Sequence, residues 1–426
     1  MKKILVSIGA VALGAATVHA ESAAGMSMND NSRVWSVAAS LRGFYDDNYT
    51  TSTKGSERET FGMSISPSIS VKVPMDQTTL GFRYIYGATW YADRSSLNST
   101  NSPWDQSHEF EALFSHSFSE RNTLDISDSF VVAQEPELLN DLGNNYRTAG
   151  NNIRNHGEIT FNGGLTRKLS YVLGYQNYYY DYENSGGNFF QPSLSGLLDR
   201  IEHEALFNLR YQASLKTVLV GGYNYRQVDY TSDESIALVG LTPVDSTIRN
   251  SRSHIIYAGI DQNFTKEITA TLRVGAQFTD YYNDPNSSKS TTPWVSGSLA
   301  YTYAPGSNFR LGVSHMLNQT DVVAPDPVTG SVTTDQESTV IFGNLTHQFT
   351  SNLSGSLRGQ IQISQFQNGL YDGSSDTFYD VGADLTYRFN NHFSGQLGYN
   401  YSTLTSDIAT RDYDRNHVYI GVTAAY

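Results

Sequence analysis

From Trp35 to the final Tyr426 the apolar residues return at every second position, in segment after segment. Phe61, Met63, Ile65, Pro67, Ile69, Val71 and Val73 share one face, and Gly62, Ser64, Ser66, Ser68, Ser70 and Lys72 share the other. Leu80, Phe82, Tyr84, Tyr86, Ala88 and Trp90 repeat the pattern, as do Phe393, Gly395, Leu397, Tyr399 and Tyr401. A period of two is that of a β-strand with one greasy and one polar face. Many segments run 11 to 15 residues, whereas strands of soluble domains average about 5–6 and a tilted strand crossing a bilayer needs about 9–11. Tyr and Trp gather towards the ends of the greasy faces, as in the aromatic girdles of membrane barrels. Strands that meet lipid must close into a ring, because an open edge leaves backbone N–H and C=O groups unsatisfied in hydrocarbon.

The links alternate as well. Short ones fall at Pro74–Thr78, Ser119–Arg121, around Lys168, and at Gln212–Leu215, Thr265–Glu267, Ala304–Ser307, Thr350–Asn352 and Asn390–Asn391. Between them lie long polar stretches at Asp47–Glu59, Arg94–Asp105, Ala133–Asn155, Thr231–Asn250, Tyr282–Thr292 and Asp321–Gln336. The expected fold is an all-β, transmembrane antiparallel β-barrel of about 18 strands, with short periplasmic turns and long extracellular loops. The strands are expected near 34–46, 60–73, 78–92, 106–118, 122–132, 155–167, 169–183, 201–212, 215–230, 252–264, 268–281, 293–303, 308–320, 338–349, 353–367, 377–389, 392–405 and 413–426. The pair at 122–132 and 155–167 reads least cleanly, because Asp128 falls on the greasy face; without it the count is 16.

Lys2 and Lys3 precede an apolar run from Ile4 to Val18, and Val18-His19-Ala20 closes it with a small residue. That is a signal peptide over 1–20, followed by a short periplasmic segment over 21–33 and a single barrel domain over 34–426. The 426 residues carry 28 Lys plus Arg against 42 Asp plus Glu, and no Cys. Disulfide stapling and thiolate metal sites are therefore excluded, and the acidic balance argues against nucleic-acid partners. A faint repeat, Glu111-Ala112-Leu113-Phe114 and Glu204-Ala205-Leu206-Phe207, has the hairpin as its unit.

With its signal peptide, its lack of Cys, its Tyr/Gly/Asn-rich strands and turns such as Phe349-Thr350-Ser351-Asn352-Leu353 and Phe389-Asn390-Asn391-His392-Phe393, the chain resembles bacterial outer-membrane barrels of the "putative β-barrel porin type 2" group. The resemblance spans residues 30–426 and implies a passive channel in the cell outer membrane. Some relatives serve the export of surface polysaccharide. The family offers no defining catalytic or binding motif to carry over.

Candidate functional residues come from the polar phase. Arg42, Arg83, Glu109, Glu111, Glu158, Glu202, Glu204, Arg210, Asp261, Arg273, Arg310, Arg358, Asp384 and Arg388 are expected to line a pore. Eighteen strands give a ring roughly 35 Å across, too wide for side chains to fill, so the lumen holds water or inward-folded loops. The loop from Ala133 to Asn155 is the longest, and by position it resembles the constricting third loop of general porins; Glu135, Glu137, Asp141, Arg147 and Arg154 are its candidate charges. Gly421, Ala424 and Tyr426 resemble the C-terminal signal read by the barrel assembly machinery. His108, His156, His203, His254 and His417 open strands but do not keep one facing, so they read as interface residues and not as metal ligands. No cofactor is implied, and no catalytic constellation appears.

Three functions compete: passive diffusion of small hydrophilic solutes or ions, an exit barrel for surface polysaccharide with a periplasmic export partner, and a structural or adhesive surface barrel. The expected surroundings are outer-membrane lipids and lipopolysaccharide. Assembly as a homotrimer is a further expectation, which the phase pattern does not locate.

Overall fold

The computed structural model describes residues 34–94, 102–133, 151–183, 186–187, 192–285 and 288–426. The expected signal peptide over 1–20 and the expected periplasmic segment over 21–33 lie outside the described residues. Strands β1 (Trp35–Asp46), β2 (Thr60–Pro74), β3 (Thr78–Tyr91), β4 (Trp104–Ser119), β5 (Asn122–Ala133), β6 (Asn152–Gly164), β7 (Leu169–Tyr182), β8 (Arg200–Gln212) and β9 (Thr217–Tyr230) form the first half of the wall. A small hairpin, β10 (Ser235–Val239) and β11 (Thr242–Asp245), sits in the next loop. The wall resumes with β12 (Ser251–Asn263), β13 (Ile268–Asp280), β14 (Lys289–Ala304), β15 (Ser307–Asn318), β16 (Asp335–Gln348), β17 (Leu353–Gln367), β18 (Ser375–Arg388), β19 (Phe393–Ser406) and β20 (Tyr413–Ala425). Each pairs antiparallel with the next, and β1 pairs with β20 in the register Leu41↔Val422, so the 18-stranded sheet is closed. Closure leaves no strand edge facing lipid.

One face is identified as inner by its reach. Arg210 Nη2 on β8 donates to Asp261 Oδ2 on β12 at 2.7 Å, over the intervening β9. Arg42 on β1 reaches Gln396 on β19 at 3.0 Å over β20, and Arg358 on β17 reaches Asn400 on β19 at 3.1 Å over β18. Side chains converge in this way on the concave side of a curved sheet. The opposite phase carries exposed Phe61, Met63, Leu80, Phe82, Leu173, Phe207, Val274 and Ile420, the belt expected to meet lipid.

The short turns share one device. In Leu165–Leu169, Phe264–Ile268, Phe349–Leu353 and Phe389–Phe393 the first residue's N–H donates to the last residue's carbonyl at 2.9–3.0 Å. The second residue's side chain then accepts from the backbone N–H groups two and three residues farther on: Thr166, Thr265, Thr350 and Asn390 all do this at 2.8–3.2 Å. Such side-chain-to-backbone bonds are why Ser, Thr and Asn favour turns. The leading Leu165, Phe264, Phe349 and Phe389, together with Phe118, are 53–58% exposed and form an apolar ring at the periplasmic boundary. Between Ala304 and Ser307 the turn is Pro305-Gly306, where φ of +71° suits glycine.

Candidate functional site: the lumen wall and its extracellular mouth

All fourteen expected lining residues lie on strands in the inward phase, by the register that joins each pair of strands. Most are tied to one another. Arg83 bonds Glu111, with Glu109 at 3.4 Å. Asp261 holds both Arg210 and Arg273. Asp384 accepts from Arg358 at 2.9 Å and from the Tyr419 hydroxyl.

On β5 and β6, Asp125 and Glu158 accept from Ser115 and Thr160, whereas Glu204 on β8 accepts from Asn224 and lies across from Arg226. Among the described residues, Lys72 on β2, Arg310 on β15 and Arg388 on β18 have no carboxylate partner, and Arg42 on β1 bonds Gln396 and lies over the Tyr419 ring. Counted around the ring, Arg310 and Arg388 stand on the side opposite β5–β7. Asp125 and Glu158 thus stand across the ring from Arg310 and Arg388, and Arg42, Lys72 and Arg154 bring cations to the β1–β6 side as well. A hollow of about 670 Å³ opens on the inward face between β1 and β6, with Ser70, Lys72, Arg83, Glu111, Ser127 and His156 among its lining.

Glu202 differs from the rest: it faces inward but is 1% exposed. It accepts from Arg200 Nε at 2.8 Å and from Arg226 Nε at 3.2 Å, and Arg226 Nη2 continues to Gln319 at 2.8 Å. Gln319 begins the segment 319–334 between β15 and β16. That segment crosses the mouth. Thr320 O accepts from Arg249 Nη1 at 3.0 Å, and Arg249 also donates to Leu197 O at 2.5 Å. Leu197 lies in the five-residue helix α1 (Leu194–Leu198) of the β7–β8 loop. Farther along, Asp321 pairs with Arg411 of the β19–β20 loop at 3.2 Å, and Arg411 pairs with Asp376 on β18 at 3.0 Å. Val322 packs against Phe366 and Ile408, and Ala324 O accepts from Leu370 N at 3.1 Å. The strap therefore touches both β9 and the β17–β20 loops, half the ring apart.

The constriction expected from the sequence is the loop from Ala133 to Asn155. Glu135, Glu137, Asp141 and Arg147 lie outside the described residues. Arg154 is not a loop residue: it belongs to β6 and faces inward beside Val131. Pairing continues beyond the lipid belt, where greasy alternation is no longer needed. Sequence reasoning missed Arg200, Arg226, Arg249, Arg411 and the strap they hold. A usable signal existed for Arg249 and Arg411, since arginines are scarce in loops otherwise rich in Asp, Glu, Asn and Ser.

The histidines divide. His108, His203 and His254 face outward and each Nδ1 meets a Tyr hydroxyl, of Tyr84, Tyr175 and Tyr223, at 2.7–2.9 Å. His156 faces inward and stacks on Tyr178 at 4.1 Å, and His417 meets Asp46 at 3.0 Å. Among the described residues no three His, Asp or Glu side chains gather as a metal site.

The sequence pattern of the family described as "Putative beta-barrel porin 2" matches residues 199–426, 228 of the 426 residues. The chain belongs to that family. It is an outer-membrane β-barrel of porin type. Among solved structures, this porin is similar to OpdK of Pseudomonas aeruginosa, solved with vanillate: 12% identity, 92% of this chain and 99% of that one covered, TM-score 0.49. OccK9 (OpdG) of the same organism gives 13%, 92%, 98% and 0.47. OccAB3 of Acinetobacter baumannii gives 11%, 92%, 99% and 0.45. A comparison with curated proteins gave no match.

Proposed function

We propose that this porin is a passive channel for small hydrophilic solutes or ions, narrowed at its outer mouth by the strap 319–334. The observation that carries the reading is a closed ring whose inward face is polar and lined by charges of both signs. Ions and polar solutes entering such a lumen meet charges of both signs, which filter by charge and orient dipoles. The lining residues named above are the filter in this proposal, and they act by charge and size, not by catalysis.

Export of polysaccharide needs open aromatic faces for sugars to stack on. The inward pair Tyr257 and Trp294 stack on each other at 4.7 Å and are 9% and 7% exposed, so the diffusion reading is preferred. At the C-terminus, Ala424 and Tyr426 face outward and Gly421 lies inward against Arg42. We take Tyr426 and Ala424 as the part of the last strand that the assembly machinery reads.

Reconstitution of the purified barrel into planar bilayers tests the channel. Stable ohmic steps are expected. The double change Glu158→Gln, Glu204→Gln should shift the reversal potential in a salt gradient towards anions, and Arg310→Gln, Arg388→Gln should shift it towards cations. Absence of any conductance from correctly folded protein removes the proposal.

A further inference from the structure

We propose that the outward face of β4–β6 is a self-association surface, on which a second copy of this chain docks through Asp128 and Asn155. The inference rests on the outer-membrane reading but not on the pore. Asp128 is exposed and outward-facing, opposite Ala112 on β4 and Gly157 on β6. Ala112 lies midway along β4, so this carboxylate sits near the centre of the lipid belt. Other strands place Ile69, Leu173, Phe207, Val274, Ile361 or Ile420 in that belt. An ionisable group there is costly in lipid and marks a functional surface unless something covers it.

Its immediate surroundings are built for a close partner. Asn155 Nδ2 donates to both Asp128 oxygens, at 3.2 and 3.1 Å, and to Ser129 O at 3.2 Å. A Cβ on Gly157 would lie 3.3 Å from Asp128 Oδ2, so the carboxylate rests over bare backbone. Ala112 and Gly157 make the floor of a notch, with Phe110, Phe130, Ile126 and Ile159 in the rows above and below. Small residues with a polar group among them are how proteins pack against one another in membranes.

The occupant follows from the hydrogen-bond inventory. Acyl chains bring no donor. The patch itself holds an acceptor, Asp128, and a donor, Asn155, side by side, so two copies related by a two-fold axis along the membrane normal satisfy each other. The Asn155 N–H that rests on Ser129 O turns to the neighbouring copy's carboxylate, and each copy gives and receives one such bond.

The chain has no Cys, so Ala112→Cys supplies a single thiol at the notch. In membranes, a short bismaleimide should join two such copies, while Ile361→Cys, outward on β17 away from the notch, should stay monomeric. Adding Asp128→Leu should lower the Ala112→Cys yield by about tenfold, the factor expected when about 1.4 kcal/mol of contact is lost. Folding is checked by heat-modified gel mobility, and Asn155→Leu is the second variant should Asp128→Leu not fold. Native mass spectrometry should give two chains per particle. One or three chains per particle, equal cross-linking at both positions, or undiminished cross-linking after a folded Asp128 or Asn155 change would each overturn the proposal. Single-channel conductance should be unaltered by Asp128→Leu, so failure here leaves the channel reading standing.

Discussion

The two ends of the barrel are made by different means. At the periplasmic end, four turns repeat the same five-residue solution, each closed by its own Thr or Asn and each leading with an exposed Phe or Leu. At the extracellular end the described loops are held by arginines that reach far along the chain: Arg249 to Thr320, Arg226 to Gln319, Arg411 to Asp321. A turn is a local device, and losing one leaves the others intact. The mouth is a network, in which stripping a buried cation of its partners is costly. Redundancy at one end and dependence at the other lead to unequal consequences when each is perturbed.

The largest effect should come from the strap. Replacing Val322–Ser331 by a short Gly-Ser link removes the segment that spans the mouth while leaving β15 and β16 paired. Conductance is expected to rise about twofold or more, because the flow through a pore is set by its narrowest section. An unchanged step size would place the narrowest section elsewhere, either deeper along the wall or at loop residues outside those described.

A smaller, more local contrast pits one arginine against one turn. Arg249→Ala strands the carbonyls of Thr320 and Leu197 and should cost about 3–6 kcal/mol of loop anchoring, as expected for two hydrogen bonds to a charged donor. Thr350→Ala loses one turn cap and should cost about 0.5–1.5 kcal/mol. Limited proteolysis reads the first as rapid cleavage within 319–334 and the second as no new cleavage site. Equal protease resistance of the two variants would mean that the mouth is as redundant as the turns.

That contrast also explains what the sequence discloses. Strand positions and closure were legible because a two-residue period is imposed on every crossing by lipid outside and water inside. Both β5 and β6 exist despite Asp128, whose misfit is now a feature of one face of the barrel. Strand starts on the outer side were read too late: β6 begins at Asn152 rather than 155, β14 at Lys289 rather than 293, β16 at Asp335 rather than 338. Pairing there continues in water through Lys289-Ser290-Thr291 and Asp335-Gln336-Glu337, where nothing demands apolar residues. The strap was not legible, since its anchors join residues such as Arg411 and Asp321, 90 positions apart, and no local pattern encodes that contact.

The smallest expected effect is a pH dependence of the mouth that the turns should not share. Asp199 caps α1; its carboxylate accepts from Tyr182 N–H at 2.7 Å and from the Ser195 hydroxyl. Burial pushes its pKa up to about 6, against the pull of these two bonds. The folded loop therefore holds the Asp199 proton more tightly than an unfolded chain, whose aspartates titrate near 3.9. Between about pH 4 and 6 the unfolded form binds fewer protons, so loop stability is greatest below that window and falls as pH rises through it. Hydrogen exchange at the Tyr182 amide, corrected for its intrinsic pH dependence, should show less protection at pH 7 than at pH 4.5. Asp199→Asn should flatten the difference, and amides of the Phe349–Leu353 turn should show none. If the Asp199→Asn profile runs parallel to the unchanged protein's, the softening of the mouth belongs to other carboxylates, and the β7–β8 loop is no more pH-sensitive than the turns at the far end.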